Sequence, residues 1–270
     1  MELNKEQMRA AETELRKYLP QSLKVYGVLM LKNRVTSDPL SVIVDKWPDF
    51  RVFICRPHCE KESDFFKDIL IFATDETILE ETIRKSSDWT RPLCFGFNQR
   101  HMDTIKAVAS EKAAPGRQLA VCHKMILEDV SKLPSVDSSG LSLSSMDESH
   151  TSLVNQTWQF GQNDGALRMI QNMVKNFPSC CVLDAEGKPV AWILVYNTCA
   201  MGMLHTLPEH RGRGYAKVLI CTMAKRLHSE GYPVYCFIDD DNGISYRIFT
   251  KLGFTEDPSY RDTWFEFNGP

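Results

Sequence analysis

Two hundred and seventy residues exceed the roughly 150 of a typical domain, so the chain has room for two compact units or one large one. A composition of 43% hydrophobic, 25% charged and 10% aromatic residues excludes a mostly disordered, collagen-like or coiled-coil protein. Thirty-two Lys and Arg against 35 Asp and Glu leave a net charge of −3, so no whole-chain field attracts nucleic acid or an anionic membrane, and any anion site must be local.

Residues 1–19 lack the apolar stretch of a signal peptide, and Glu2, Glu6, Glu12 and Glu14 argue against an Arg-rich, acid-poor transit peptide. Asn4 is placed to cap a first helix in which Met8, Ala11, Leu15 and Leu19 recur at helical spacing and Pro20 marks the stop. Lys24–Lys32, Ser41–Asp45 and Arg51–Cys55 read as strands, being β-branched or aliphatic runs separated by Pro- and Asp-containing turns. The apolar core of the first, Val25–Leu31, falls far short of the roughly 20 residues a membrane span needs, so no span is expected. Helices are predicted over Glu76–Lys85 and Gln99–Ser110, and short strands over Leu93–Phe97 and Gln118–Lys124.

Lys132–Asp147 is dominated by Ser, Asp, Pro and Gly and reads as a linker, dividing the chain into residues 1–131 and 148–270. Beyond it the pattern predicts helices over Glu148–Phe160 and Gly165–Asn176. The strands Cys180–Asp184 and Pro189–Thr198 follow, joined by a hairpin turn at 185–188. A strand Met201–Leu207, a helix Gly214–Gly231, a strand Val234–Ile238, a helix Gly243–Leu252 and a strand Thr263–Phe267 complete an α+β architecture with a mixed sheet.

Nine cysteines, with no C-x-x-C pair and Cys180 beside Cys181, suit free thiols better than a disulfide framework. Cys55, His58 and Cys59 offer three potential metal ligands, but no fourth follows at zinc spacing, and a strand end with a polar turn accounts for them; no metal is expected. Asp239-Asp240-Asp241 reads likewise as a solvated turn ahead of a helix capped near Asn242.

The segment that carries chemistry is Arg211-Gly212-Arg213-Gly214-Tyr215-Ala216, between a predicted strand and a predicted helix. Two glycines let successive amide N–H groups point into one concavity, and the helix start adds unpaired donors and its positive dipole end, a geometry that binds phosphate. A lone G-x-G is equally an ordinary turn with solvated arginines. It is neither a Walker loop nor a G-x-G-x-x-G dinucleotide fingerprint.

In context, Arg211, Gly214 and Ala216 resemble the R/Q-x-x-G-x-G/A pyrophosphate loop of the GNAT superfamily of acyl-CoA N-acyltransferases. Asn242, Phe249, Lys251, Gly253 and Phe254 match its second hallmark. The blocks Ser22–Gly27, Val44–Phe50, Leu143–Asp147, Phe177–Cys181 and Thr206–Arg211 narrow this to a resemblance to the glycine N-acyltransferase family and its glycine N-acyltransferase-like relatives. The resemblance implies an N-terminal reduced GNAT-like domain followed by a C-terminal acyl-CoA-binding catalytic domain. It implies acyl-CoA as co-substrate rather than a permanent cofactor, and acyl transfer to glycine or another small amine. Leu207, Arg211, Gly212, Arg213, Gly214, Tyr215, Ala216 and Asn242 are then the expected acyl-CoA contacts. A mitochondrial location is implied by the resemblance alone, the residues themselves leaving the mitochondrial matrix, the endoplasmic-reticulum surface and the cytosol open, and a monomer is the default.

A thioester is already activated, so such an enzyme mainly orients a neutral amine, removes its proton and stabilises the oxyanion, for which backbone N–H groups of the strand 201–207 are placed. Cys199 and Cys221 lack the adjacent His and carboxylate of an acyl-enzyme nucleophile and read as core. The family's base is a glutamate six residues before Thr206, where this chain has Ala200. His205 and Glu209 are the nearest substitutes, and a packed histidine is the plainer account of the former. Many superfamily members carry a Tyr at the position of Phe249 to protonate the leaving thiolate; with Tyr246 one turn earlier, that proton falls to water. Two other functions stay open on sequence: a protein N-acetyltransferase, which the near-neutral charge does not favour, and a catalytically weak acyl-CoA-binding regulator, which Ala200 and Phe249 suggest.

Overall fold

The computed structural model describes residues 1–35, 40–58 and 68–269. In chain order the elements are α1 Lys5–Arg16, α2 Leu23–Arg34, β1 Leu40–Val44, β2 Val52–Pro57, β3 Asp68–Ala73, α3 Glu76–Ser86, β4 Leu93–Asn98, α4 Met102–Glu111 and β5 Gly116–Ile126. There follow β6 Ser142–Ser144, α5 Thr151–Thr157, α6 Asp164–Asn176, β7 Ser179–Leu183, β8 Pro189–Val195, β9 Met201–Thr206, α7 Tyr215–Ser229, β10 Tyr235–Asp239, α8 Gly243–Lys251 and β11 Arg261–Phe267. They divide into two compact units, Met1–Lys124 with Asp257–Pro270, and Met125–Glu256. The boundary expected at 132–147 therefore sits elsewhere: that stretch lies inside the second unit, where Ser142–Ser144 pairs with Cys181–Leu183, and the chain's last fourteen residues return to the first unit.

Local chemistry starts the helices. Asn4 and Gln7 form a reciprocal capping box at α1, Asp75 caps α3 through the Ile78 N–H at 3.0 Å, and Asn163 caps α6 through the Ala166 N–H at 2.8 Å. The segment expected as a strand over Lys24–Lys32 is helix α2. Every residue from Leu23 to Leu31 is buried, so the run carries no polar face from which a period could be read, and its twelve-residue length is that of a helix.

In the first unit, β1, β2 and β3 are antiparallel neighbours, β3 runs parallel to β4, and β11 lies antiparallel between β4 and β5. Its core brings Ile54, Ile71, Phe95, Phe97 and Phe267 of the sheet against Leu79 and Ile83 of α3 and Ile105 and Val108 of α4.

In the second unit, β6, β7, β8 and β9 form an antiparallel meander, and β10 joins β9 in parallel. The α6 face of Ala166, Met169, Ile170 and Met173 and the α7 face of Leu219, Ile220, Met223 and Leu227 are buried. No helix among the described residues is long and apolar enough to cross a membrane, and none of them form a cluster of three potential metal ligands. Cys59, one of the three sequence candidates, lies outside the described residues.

Candidate active site

The site is built around β9, which departs from regular strand geometry twice. Tyr196 and Ala200 close the hairpin from β8, the Tyr196 N–H donating to the Ala200 carbonyl at 2.9 Å, with Cys199 at φ 67°. Register then shifts: Leu194 faces Gly202 and Trp192 faces His205, so Met203 and Leu204 share the single partner Ile193. This is a bulge, with Met203 at φ 49°, and it turns backbone groups out of the ladder and re-aims the residues that follow. On the other side of β9, its paired position with β10 is Met201 with Cys236, so Gly202–Thr206 run on past the ladder between the two strands. The backbone N–H groups placed on this strand for the thioester oxygen thus occur where pairing is interrupted.

Beyond β9 the chain passes Leu207 and a 3₁₀ turn, Pro208–His210, into the glycine loop. Gly212 and Gly214 both have φ 78°, and a Cβ built on either would meet nothing within 4 Å. The glycines are therefore needed for the backbone conformation, and the hollow they line is open. Gly214 is the N-cap of α7, which has neither a side-chain cap nor an acidic residue in its first turn. A fifteen-residue helix thus presents unsatisfied N–H donors and its positive dipole end, with Arg211, Arg213 and Lys217 exposed around it. Tyr215 and Ala216, half-buried, begin the helix. These features fit an anionic diphosphate.

Arg211 and Arg213 are held by the loop itself. The Arg211 Nε–H donates to the Thr206 carbonyl at 3.1 Å, and the Arg213 guanidinium reaches the Glu209 carbonyl at 3.4 Å. Asn242, three residues beyond β10, spends its carboxamide oxygen on the Ser245 N–H at 3.1 Å and so caps α8.

Of the two candidate bases, Glu209 is exposed in the 3₁₀ turn, whereas His205 is half-buried on β9. The imidazole lies against the indole of Trp192, its cross-strand partner, with ring centroids 5.1 Å apart and planes 26° from parallel. Burial, and then the charge of Arg211, hold the His205 pKa below the ordinary histidine value, so at neutral pH the imidazole is neutral and able to accept a proton. Ala200 presents a fully buried methyl group.

The other sequence candidates find structural partners. Phe249 is buried edge-on to Phe254, with centroids 5.0 Å apart. The Tyr246 hydroxyl donates to Glu256 Oε1 at 2.7 Å. Cys199 and Cys221 are buried, and burial raises the Cys221 pKa, which leaves it a poor nucleophile. Three features of the site had escaped sequence reasoning: the bulge at Met203, the Trp192 stack and the clasp of Arg211 on Thr206. All three depend on cross-strand register or a loop's path, neither of which has a local signal.

Residues 2–178 match the sequence profile of the aralkyl acyl-CoA:amino acid N-acyltransferase family, and residues 180–267 match that family's C-terminal region. The chain is 32% identical to glycine N-acyltransferase of Bos taurus across 95% of both chains, and 30% identical to glycine N-phenylacetyltransferase of Bos taurus across 95% of both. It is 28% identical to the glycine N-acyltransferase-like protein Keg1 of Mus musculus, over 97% of this chain and 96% of that one. In fold it is similar to an X-ray structure of a Drosophila protein, with a TM-score of 0.82 at 14% identity over 98% and 97% of the two chains. A GCN5-related N-acetyltransferase from Kribbella flavida gives a TM-score of 0.59 at 14% identity over 96% of each. The chain is an acyltransferase that uses acyl-CoA as co-substrate, and it belongs to the aralkyl acyl-CoA:amino acid N-acyltransferase family.

Proposed function

We propose that this acyltransferase uses glycine as its acceptor, forming N-acylglycine and free CoA, with His205 as the proton acceptor. The observation that carries this reading is the continuity of residues 201–216. The bulged strand, the neutral imidazole and the diphosphate cradle follow one another on a single stretch, so a CoA held by the loop extends its thioester along β9. The acceptor follows from the relatives, whose names specify glycine.

The chemistry is direct transfer. The loop at 211–216 and the α7 N-terminus hold the diphosphate, and backbone N–H groups released by the bulge face the carbonyl oxygen as it gains charge. The amine nitrogen attacks the carbonyl carbon, the C–S bond breaks, and the amine proton passes to His205. The thiolate takes a proton from solvent, since Phe249 has no proton to give and the Tyr246 hydroxyl is bound to Glu256. A mitochondrial setting and a monomeric state belong to the same proposal, checked by fractionation and by sedimentation.

The test is turnover with purified protein, acyl-CoA and free glycine, following thiol release and identifying the product by mass. Glycine-dependent thiol release with N-acylglycine supports the reading. Tight acyl-CoA binding with no glycine-dependent release, or release only with a protein acceptor, overturns it.

A further inference from the structure

Arg211 stands between two parts of the site. Its Nε–H is committed to the carbonyl of Thr206, which fixes the guanidinium at the end of β9, one residue beyond His205. The residue is otherwise exposed and stands directly before Gly212 in the glycine loop. His205 stacks on the uncharged indole of Trp192 from β8. Burial first, and then the charge of Arg211, lower the proton affinity of His205.

We propose that binding of the CoA diphosphate at Arg211 and binding of a proton at His205 are coupled, each strengthening the other. The inference rests on the reading of the loop and of His205 given above. Diphosphate oxygens placed on the guanidinium offset its charge and lift the repulsion that an imidazolium at His205 otherwise meets. By linkage, whatever the diphosphate adds to proton affinity, the proton adds to diphosphate affinity.

The arrangement gives the reaction an order. With CoA in place, His205 has a proton affinity nearer the working pH, where a general base is most effective. It takes the amine proton as the C–N bond forms and the C–S bond breaks. When CoA leaves with its diphosphate, the bare charge of Arg211 returns and drives that proton from the imidazolium to solvent. Departure of the product thereby restores the base.

The experiment is a histidine titration by NMR on the full chain with labelled imidazoles, the His205 signal being assigned with His205→Asn, in the absence and presence of saturating CoA. The His205 midpoint is expected to rise when CoA is bound. In CoA-free Arg211→Gln it is expected to start higher than in the unaltered protein. Calorimetry supplies a second readout: CoA affinity relative to that of His205→Asn should increase about threefold or more between pH 8 and pH 5.5, a ratio in which CoA's own ionisation cancels.

A midpoint that stays fixed or falls with CoA, or that is unchanged by Arg211→Gln, overturns the coupling. If CoA fails to bind, the coupling and the CoA-site reading fall together. If His205→Ala keeps full turnover while the midpoint moves, only the role of His205 as base is lost. If turnover needs His205 and the midpoint does not move, only the coupling is lost.

Discussion

Lys24 and Asp262 form a buried ion pair, Nζ to Oδ1 at 2.6 Å, that joins the first turn of α2 to β11 across 238 residues of sequence. Both side chains are almost wholly excluded from solvent, at 3% and 0% exposure, and the ammonium also lies 5.1 Å from the Trp264 ring centroid. The second carboxylate oxygen of Asp262 has no hydrogen-bond partner among the described residues. Removing one member of such a pair strands the other, at a cost of about 3 to 5 kcal/mol. Lys24→Met or Asp262→Asn should therefore lower unfolding stability by that amount in denaturant titrations. The double variant Lys24→Met with Asp262→Leu should lose much less than the two single losses combined.

Lys124 extends this buried cluster. It donates to the Pro20 carbonyl at 2.8 Å and sits 3.5 Å from the Tyr260 ring centroid. Burial, opposed by Asp262 and reinforced by Lys24, brings its pKa down to about 8. The sign follows from proton counting: between about pH 8 and the usual lysine range, the unfolded chain binds a proton that the folded chain does not, so stability rises with pH across that window. Below it, the buried charge costs up to about 3 kcal/mol. Unfolding midpoints of the unaltered protein minus those of Lys124→Met should climb between pH 8 and pH 10. A flat difference would show that the ammonium is not penalised.

Gly214→Val tests the cradle. The left-handed backbone there disfavours a branched residue, and the added side chain would occupy the open space in which we propose the phosphate oxygens sit. Affinity for acyl-CoA should drop at least tenfold, about 1.4 kcal/mol by calorimetry, with circular dichroism unchanged.

His205→Ala should lower kcat by roughly 10² to 10⁴ with acyl-CoA binding nearly intact, and the deficit should shrink as pH rises and more of the acceptor amine is already neutral. In the unaltered enzyme, the acid limb of kcat/KM for acyl-CoA reports the free protein and should lie below the ordinary histidine range. Glu209→Gln should leave the rate within a fewfold. Ala200→Glu, which supplies the glutamate that the family resemblance implies at this position, should raise glycine turnover.

Tyr246→Phe separates a structural hydroxyl from a catalytic one. The Tyr246 hydroxyl is engaged by Glu256, so its loss should cost about 1 kcal/mol of stability and leave kcat within about twofold. A large fall in kcat with stability preserved would identify Tyr246 as the thiolate's proton donor.

What could be read from residues alone was local chemistry. The Asn4 cap, the hairpin between β7 and β8 and the glycine turns before α7 each rest on contacts within a few positions, and each occurs where the residue types placed it. Readings failed where partners lie far along the chain. Leu23–Leu31 of α2 are all buried, so burial erased its period, and β3 had no reading because its D-I-L-I-F-A run is buried almost throughout and bears no alternation. The strand at Ser142–Ser144 is polar and forms only because β7 offers an edge. At the site, the glycines announced the left-handed turns that lead into α7, whereas the Trp192–His205 stack depends on a one-residue slip in the ladder.

The insertion of β11 between β4 and β5 also sets the order in which the protein can be finished. During synthesis the first 124 residues emerge with a gap in the middle of their sheet, and the strand that fills it is translated only after the whole second unit. Until then, the facing backbone edges of β4 and β5 and the ammonium of Lys24 await their partners, exposed to any other chain within reach. The unit made first is thus the unit completed last, and a ribosome that stalls anywhere in the second half releases a polypeptide with an open sheet.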